Sequence, residues 1–427
     1  MIFIKRFIPK SFFPALSPAY HKLMVFAAAL FYRFPSGKIF VLGVTGTKGK
    51  TTVVEIVSAI LEEAGHKTAI ISTLRFKIAD RSVRNKLKMT MPGRFFIQEF
   101  LRKAVSKKCD YVIVEMTSQG ASQFRHKFIE LDAMIFTNLS PEHLEAHGSF
   151  EKYKEAKLSF FEALSASSKP EKVSVVNVDD ESAEDFLKFK IKNTWMYGLG
   201  GIYGGGEELK ISNSKFGDGE TEFSMGGKDF TSNLVGEFNL YNILAAMSFA
   251  RSQGVGWGTI KKTLLDFPGV PGRVELIEGR QSFRVIVDYA HTPDSLEKLY
   301  GFFGGSRKIC VLGAAGGGRD SWKRKEMGKI AGKNCEEIIL TNEDPYDENP
   351  MEIIKEVASG IESPFKYKII PDRREAIREA LKMAERNDAV LITGKGTDPW
   401  IMGPGGSKTE WDDRETVKQE LKRLGKL

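Results

Sequence analysis

The sequence predicts an α/β protein: a P-loop central domain on a mostly parallel sheet, followed by a C-terminal Rossmann-like α/β domain. Short apolar runs alternate with longer stretches of helical period from Ile39 to about Phe267, as helices on both faces of a parallel sheet require. The stretch Gly46-Thr47-Lys48-Gly49-Lys50-Thr51-Thr52 stands between one such run and a helical pattern. A second alternating unit begins after Phe267-Pro268-Gly269-Val270-Pro271-Gly272, whose prolines and glycines suit neither a helix nor a central strand. The implied divisions are residues 1–38, 39–268 and 269–427.

Residues 1–38 mix Lys5, Arg6 and Lys10 with an uncharged apolar run, Leu23 to Tyr32. That run is too short to span a bilayer as a helix. An amphipathic helix packed on the next domain is expected, with a peripheral membrane contact as the lesser option.

The central strands are predicted at Ile39–Val44, Thr68–Ser72, Tyr111–Glu115, Ala133–Thr137 and Val173–Val176. Trp195 to Asn233 is glycine-rich with short alternating runs such as Glu222-Phe223-Ser224-Met225, which suits an antiparallel meander. Asn239 to Gln253 returns to helix. In the second unit the strands are Arg284–Asp288, Lys308–Leu312, Glu337–Leu340 and Ala389–Thr393, each followed by polar or glycine residues. Ligands of open α/β sheets collect beyond such strand ends.

Net charge is +8 over 427 residues, with hydrophobic and charged fractions ordinary for a globular protein. That balance permits nucleic-acid or membrane-surface binding, but an anionic substrate plus ATP explains a basic cleft equally well; small-molecule substrates and no nucleic-acid partner are expected. Cys109, Cys310 and Cys335 form no CxxC pair and lie far apart in sequence, so buried reduced thiols in a cytoplasmic protein are expected.

The glycine turn carries the chemistry. Val53, Ile56, Val57, Ile60 and Leu61 recur at helical spacing behind it, so free backbone N–H groups and a helix's positive end converge there. Lys50 adds a point charge and the Thr51 hydroxyl a ligand for Mg²⁺, which makes a nucleoside triphosphate the natural guest. Val44 stands where the general P-loop pattern has its first glycine. Three further polar residues follow strands: Glu115, His143 in Thr137-Asn138-Leu139-Ser140-Pro141-Glu142-His143, and Lys157 in a helical stretch running into Phe160 and Phe161. Alone, they read more readily as a helix cap, a surface histidine and a solvated charge. Near a P-loop, a carboxylate and an imidazole meet the demand of phosphoryl transfer for cations and their ligands.

With Gly236-Glu237-Phe238-Asn239-Leu240-Tyr241-Asn242, Gly272-Arg273-Val274-Glu275, Asp288-Tyr289-Ala290-His291-Thr292-Pro293-Asp294 and Gly394-Lys395-Gly396 in the same order, the chain resembles the Mur ligase family from Ile39 to Leu427. These are ATP-dependent amide-bond formers of bacterial peptidoglycan, and the likeness is greatest to members that add the third stem amino acid. The resemblance implies ATP on Gly46, Thr47, Lys48, Gly49, Lys50, Thr51, Thr52, Asn242, Arg273 and Asp288, with Arg273 brought to the phosphates by domain closure. It implies Mg²⁺ on Thr51, Glu115, His143 and a carbamoylated Lys157, so that Lys50, Lys157, His143 and Glu115 form the catalytic set. The muramoyl peptide and amino acid would be held by Thr90, Ser118, Arg125, His291, Arg319, Asp344, Tyr346, Gly394 and Asp398. A UDP-muramoyl-peptide and a free amino acid would be the small-molecule substrates, and the enzyme a cytoplasmic monomer.

Departures are informative. Only 38 residues precede the nucleotide strand, where the family usually places a UDP-gripping domain. Glu343-Asp344-Pro345-Tyr346 replaces the Asp-Asn-Pro-Arg of diaminopimelate-adding members, and Tyr346 makes no bidentate ion pair with a distal carboxylate. Gly394-Lys395-Gly396-Thr397-Asp398 replaces a run ending in His-Glu, Lys48 an asparagine, and Thr90-Met91-Pro92 a Thr-Thr-Pro. Lysine or another amino acid is therefore open. So are two other readings: a ligase of the same fold for a folylpolyglutamate- or cyanophycin-type acceptor, and a partner-dependent P-loop ATPase subunit.

Overall fold

The computed structural model describes residues 13–142, 144–217, 219–362 and 367–427. The expectation for residues 1–12 of the N-terminal segment lies outside them. The chain divides into two compact units, the first ending at Phe267 and the second running from Pro268, with residues 144–148 grouping with the second.

The first unit opens on helix α1 (Phe13–Phe31) and a short 3-10 turn, Pro35–Lys38. Its strands are β1 (Phe40–Thr45), β2 (Thr68–Ile71), β3 (Arg75–Ile78), β4 (Arg81–Arg84), β5 (Tyr111–Glu115), β6 (Ala133–Phe136), β7 (Val173–Asn177), β8 (Asn193–Gly198), β9 (Gly201–Gly204), β10 (Glu207–Phe216), β11 (Thr221–Met225) and β12 (Lys228–Ser232). They form one 12-stranded sheet in the order β12-β11-β10-β9-β8-β7-β6-β1-β5-β2-β3-β4. The middle run from β8 to β2 is parallel, and its apolar strands are buried because helices cover both faces. The meander β8 to β12 is antiparallel, and β11 alternates buried with more exposed residues while Phe223 stacks on Phe230. The hairpin β3–β4 at the other edge has no counterpart in the sequence reading, because its charged, short strands carry little apolar period.

Helix α2 (Lys50–Glu63) follows β1, α3 (Arg94–Ser106) precedes β5, α4 (Ser118–Ser122) follows it, α5 (Phe150–Ala166) precedes β7, and α6 (Glu237–Ser252) closes the meander. Helix α1 packs against α3 with its small residues, burying Val25, Ala28 and Ala29. Its large residues Leu23, Phe26, Leu30 and Phe31 stay exposed, the reverse of a core helix. Among the described residues no helix is long and apolar enough to cross a membrane.

His126 lies in the core of this unit, edge-on to Phe160 at 5.0 Å, and neither ring nitrogen has a partner among the described residues. Burial, with a smaller push from Lys127, lowers its pKa from 6.5 to about 3. The folded state thus binds fewer protons than the unfolded chain, so this stability is whole above pH 6.5 and is lost as pH falls toward 3. We expect His126→Leu to flatten that acid loss: its melting temperature, relative to the native chain, should rise steadily between pH 7 and pH 5. An identical difference at both pH values would contradict this origin.

The second unit carries β13 (Glu275–Leu276), β14 (Arg284–Asp288), β15 (Lys308–Leu312), β16 (Glu337–Leu340), β17 (Tyr367–Ile369) and β18 (Ala389–Thr393), in the order β13-β14-β18-β15-β16-β17. All pairs but β13–β14 are parallel. Beyond them lies the small hairpin β19 (Trp400–Met402) and β20 (Lys408–Glu410). Helix α7 (Trp322–Asn334) ends beside Cys335, and here the thiol expectation needs correction. Cys310 on β15 and Cys335 form a disulfide, with Cα atoms 6.2 Å apart. Their separation of 25 residues spans a whole strand-to-helix crossover, so spacing alone does not reveal the pair. Cys109 is free and buried.

Candidate active site

The carboxyl ends of the parallel strands in the first unit build one cluster. After β1, Gly46 takes φ 148° and Gly49 takes φ 81°. A Cβ on Gly46 would lie 1.9 Å from Thr137 Oγ1, and one on Gly49 2.1 Å from Asn242 Oδ1. Both positions therefore keep bare backbone, as a phosphate cradle requires. The segment after β6 holds the loop in shape. Lys48 N donates to Asn138 Oδ1 at 2.9 Å, and Thr137 Oγ1 donates to Lys48 O at 2.7 Å. Thr47 Oγ1 shares a hydrogen bond with Tyr153 Oη at 3.0 Å. Lys48 Nζ pairs with Glu142 at 3.1 Å, which offsets the extra cation of this loop. Lys50 Nζ folds back onto Gly46 O and Thr47 O at 3.0 and 2.9 Å.

Glu115, at the end of β5, accepts from Thr51 Oγ1 at 3.0 Å and from Thr73 N at 2.8 Å. Thr73 Oγ1 donates to the same carboxylate at 3.1 Å and meets Thr90 Oγ1 at 2.7 Å. Lys157 projects from α5 and is 2% exposed. Its Nζ donates to Gly46 O at 2.6 Å and lies 4.6 Å from the centre of the Tyr153 ring. Burial first, and then the charge of Lys50, holds its pKa well below the usual lysine value. Asn242 Nδ2 donates to Asn239 Oδ1 at 3.0 Å, and Thr52 is buried within α2. Ser118 opens α4, and Arg125 donates to Gln123 Oε1 at 2.6 Å and to Met91 O. His143 lies outside the described residues.

The structure thus joins Lys50, Thr51, Glu115 and Lys157 around one loop. Sequence reasoning passed over Thr73, Asn138 and Tyr153. Thr73 follows a strand end, where ligands gather, and Tyr153 stands four residues before Lys157 on the same helical face. Oxygen donors from Thr51 and Glu115 suit Mg²⁺, which needs few protein ligands when phosphates supply the rest. Among the described residues no group of three or more His, Cys, Asp or Glu could hold a metal by itself.

The second unit has its own cluster. Arg273 lies over the Tyr289 ring at 4.3 Å, and His291 Nδ1 is 2.6 Å from Tyr289 O. Asp288 accepts from Val274 N at 2.7 Å and Ala290 N at 2.6 Å, so its oxygens also shape the turn after β14. Lys395 is 1% exposed by side chain and bridges Asp344 at 2.8 Å to Asp398 at 3.0 Å. Gly394 takes φ 108°, where a Cβ would meet Glu343 Oε2 at 2.4 Å. Burial pushes the Glu343 carboxyl up. Arg319 lies over the Tyr346 ring at 5.0 Å and donates to its hydroxyl at 2.8 Å. Tyr346 itself holds φ 52°, a left-handed conformation that is costly for a side chain of this size.

A glycine loop held open on strand ends, with a carboxylate and a buried lysine beside it, defines a nucleoside-triphosphate-dependent enzyme of the α/β class. Comparison with known proteins makes this specific. Residues 44–250 match the Mur ligase middle domain and residues 272–396 the Mur ligase glutamate ligase domain. The UDP-N-acetylmuramoyl-L-alanyl-D-glutamate--2,6-diaminopimelate ligase of Syntrophomonas wolfei is 36% identical over 418 residues, 95% of this chain and 83% of the relative. The enzyme of the same name from Bacillus cereus is 35% identical over 403 residues, covering 92% and 80%. A solved structure of a ligase so named superposes with TM-score 0.61 at 27% identity, over 91% of this chain and 79% of that one. Folylpolyglutamate synthase of Mycobacterium tuberculosis shares the fold, with TM-score 0.69 at 14% identity, over 87% and 91%. The chain belongs to the Mur ligase family and is an ATP-dependent acid–amino acid ligase.

Proposed function

We propose that the enzyme adds the third amino acid to a UDP-N-acetylmuramoyl-dipeptide by way of an acyl phosphate. The observation that carries this is Lys157 Nζ, buried and 2.6 Å from the carbonyl of the first loop glycine. A lysine there without its proton can take up carbon dioxide: the amine forms an N–C bond and releases a proton, leaving a carbamate. That converts a cation into an oxygen donor next to Thr51 and Glu115. Mg²⁺ bound there would neutralise phosphate charge during transfer.

The residues of the chain supply positioning. Bare loop glycines admit the phosphates, Lys50 can leave its two carbonyl partners for phosphate oxygens, and Glu115 is fixed by three donors from Thr51 and Thr73. The acceptor carboxylate oxygen bonds to the γ-phosphorus and ADP departs. The amine then forms the C–N bond, and the phosphate leaves with the carboxylate oxygen. Activation is necessary because a carboxylate is a poor electrophile. In the second unit, Arg319 offers its guanidinium to the amino acid's α-carboxylate, while Asp344 and Asp398 around Lys395 suit its ammonium groups.

Purified protein should release phosphate only when UDP-muramoyl-dipeptide, ATP and one of a panel of amino acids are all present. Release with ATP alone would favour an ATPase. Release with a folate or peptide acceptor in place of the muramoyl dipeptide would change the acceptor class.

A further inference from the structure

We propose that His21, Arg94 and the start of α3 form a site for the phosphate-bearing end of the acceptor. This rests on the acceptor being a sugar nucleotide, as argued above. Arg94 donates through Nη2 to His21 Nδ1, so α1 brings a ring against the first residue of α3. The Arg94 Nε is buried and has no partner among the described residues. Gly93, at the N-cap of α3, offers no side-chain cap, and the first turn holds no acid. The uncapped helix start and the partly buried guanidinium of its first residue, with Nε still to be satisfied, both suit anionic oxygens.

The surroundings agree in sign. Among the described residues, Arg125 on the neighbouring segment is bonded to neutral oxygens and sulfur, Gln123 Oε1, Met91 O and Met89 Sδ. Burial first, and then the charges of Arg94 and Arg125, depress the His21 pKa, and burial followed by the charge of Arg94 depresses that of Arg125. From residue 1 to residue 54 the sequence contains no Asp or Glu. Two guanidiniums and an imidazole are thus gathered, and their hydrogen bonds among the described residues include no carboxylate. Thr90, four residues before Arg94, meets Thr73, which donates to Glu115. The same segment therefore runs from the catalytic carboxylate to the cation cluster, which suits a long substrate with its carboxyl at one end and phosphates at the other. Phosphate fits better than a single carboxylate because its several oxygens can take helix N–H groups and guanidinium forks together.

The test uses the full chain with ADP and Mg²⁺ at saturation to fill the loop site, and uridine 5′-diphosphate as the calorimetric probe. Arg94→Gln should weaken UDP binding about tenfold or more, the worth of one charge-assisted hydrogen bond, and flatten its salt dependence. His21→Gln, on another helix, should weaken it too, with melting temperatures confirming that both variants fold. The dipeptide L-Ala-D-Glu, which carries no phosphate, and phosphatidylglycerol vesicles should bind both variants as they bind the native chain. Unchanged UDP affinity would overturn the site. An equal loss for the dipeptide would assign the cluster to a carboxylate, and an equal loss for vesicles to a lipid headgroup; either overturns the proposal. Arg94-dependent UDP binding without any phosphate release in the amino-acid panel would instead remove the proposed muramoyl-dipeptide reaction and leave this site standing.

Discussion

Lys157→Ala should lower phosphate release by about 10²–10³-fold, the scale seen when one preorganised electrostatic element is deleted. Its stability should change little or improve, because the variant removes a buried amine whose charged form is desolvated and held by one carbonyl. Short carboxylic acids should restore part of the rate by standing in for the carbamate oxygens next to Thr51 and Glu115. A lysine that served only to tether the loop through Gly46 O would behave otherwise: lost stability and no rescue. Steady-state rates with and without added acetate or propionate, beside a thermal melt, separate the two roles.

Tyr346→Arg should raise kcat/KM for meso-diaminopimelate about 10–100-fold, while an amino acid lacking a distal carboxylate gains nothing. Tyr346 stands, by motif resemblance, where diaminopimelate-adding members carry an arginine, and here a phenol receives a hydrogen bond from Arg319. Restoring arginine gives the distal carboxylate a fork, and the carboxylate in turn offsets repulsion between the new side chain and Arg319. The native chain should accordingly prefer a residue such as lysine, although several relatives are named for diaminopimelate. Equal rates with lysine and diaminopimelate in the native chain, unaltered by the substitution, would show that Tyr346 does not read the distal end.

The parallel strands were legible because both faces are covered and their residues are apolar throughout. Tyr111–Glu115, Arg284–Asp288, Lys308–Leu312, Glu337–Leu340 and Ala389–Thr393 have the bounds that the apolar runs suggest. The hairpin Arg75–Ile78 and Arg81–Arg84 escaped notice because an exposed edge carries charged side chains and little period. At the site, Lys50, Thr51 and Glu115 could be placed by the rule of strand ends. Thr73 and Tyr153 needed three dimensions, since their roles rest on contacts with residues far along the chain. The Cys310–Cys335 bond and the pairing of His21 with Arg94 were hidden for the same reason. Spacing along a chain reports helix faces and strand alternation well, but not which distant segments meet.

The most direct test of the whole account follows one atom. With ¹⁸O in the acceptor carboxylate, the account predicts one labelled oxygen in the released inorganic phosphate and ADP as the nucleotide product. Unlabelled phosphate, or label recovered in AMP, would contradict it.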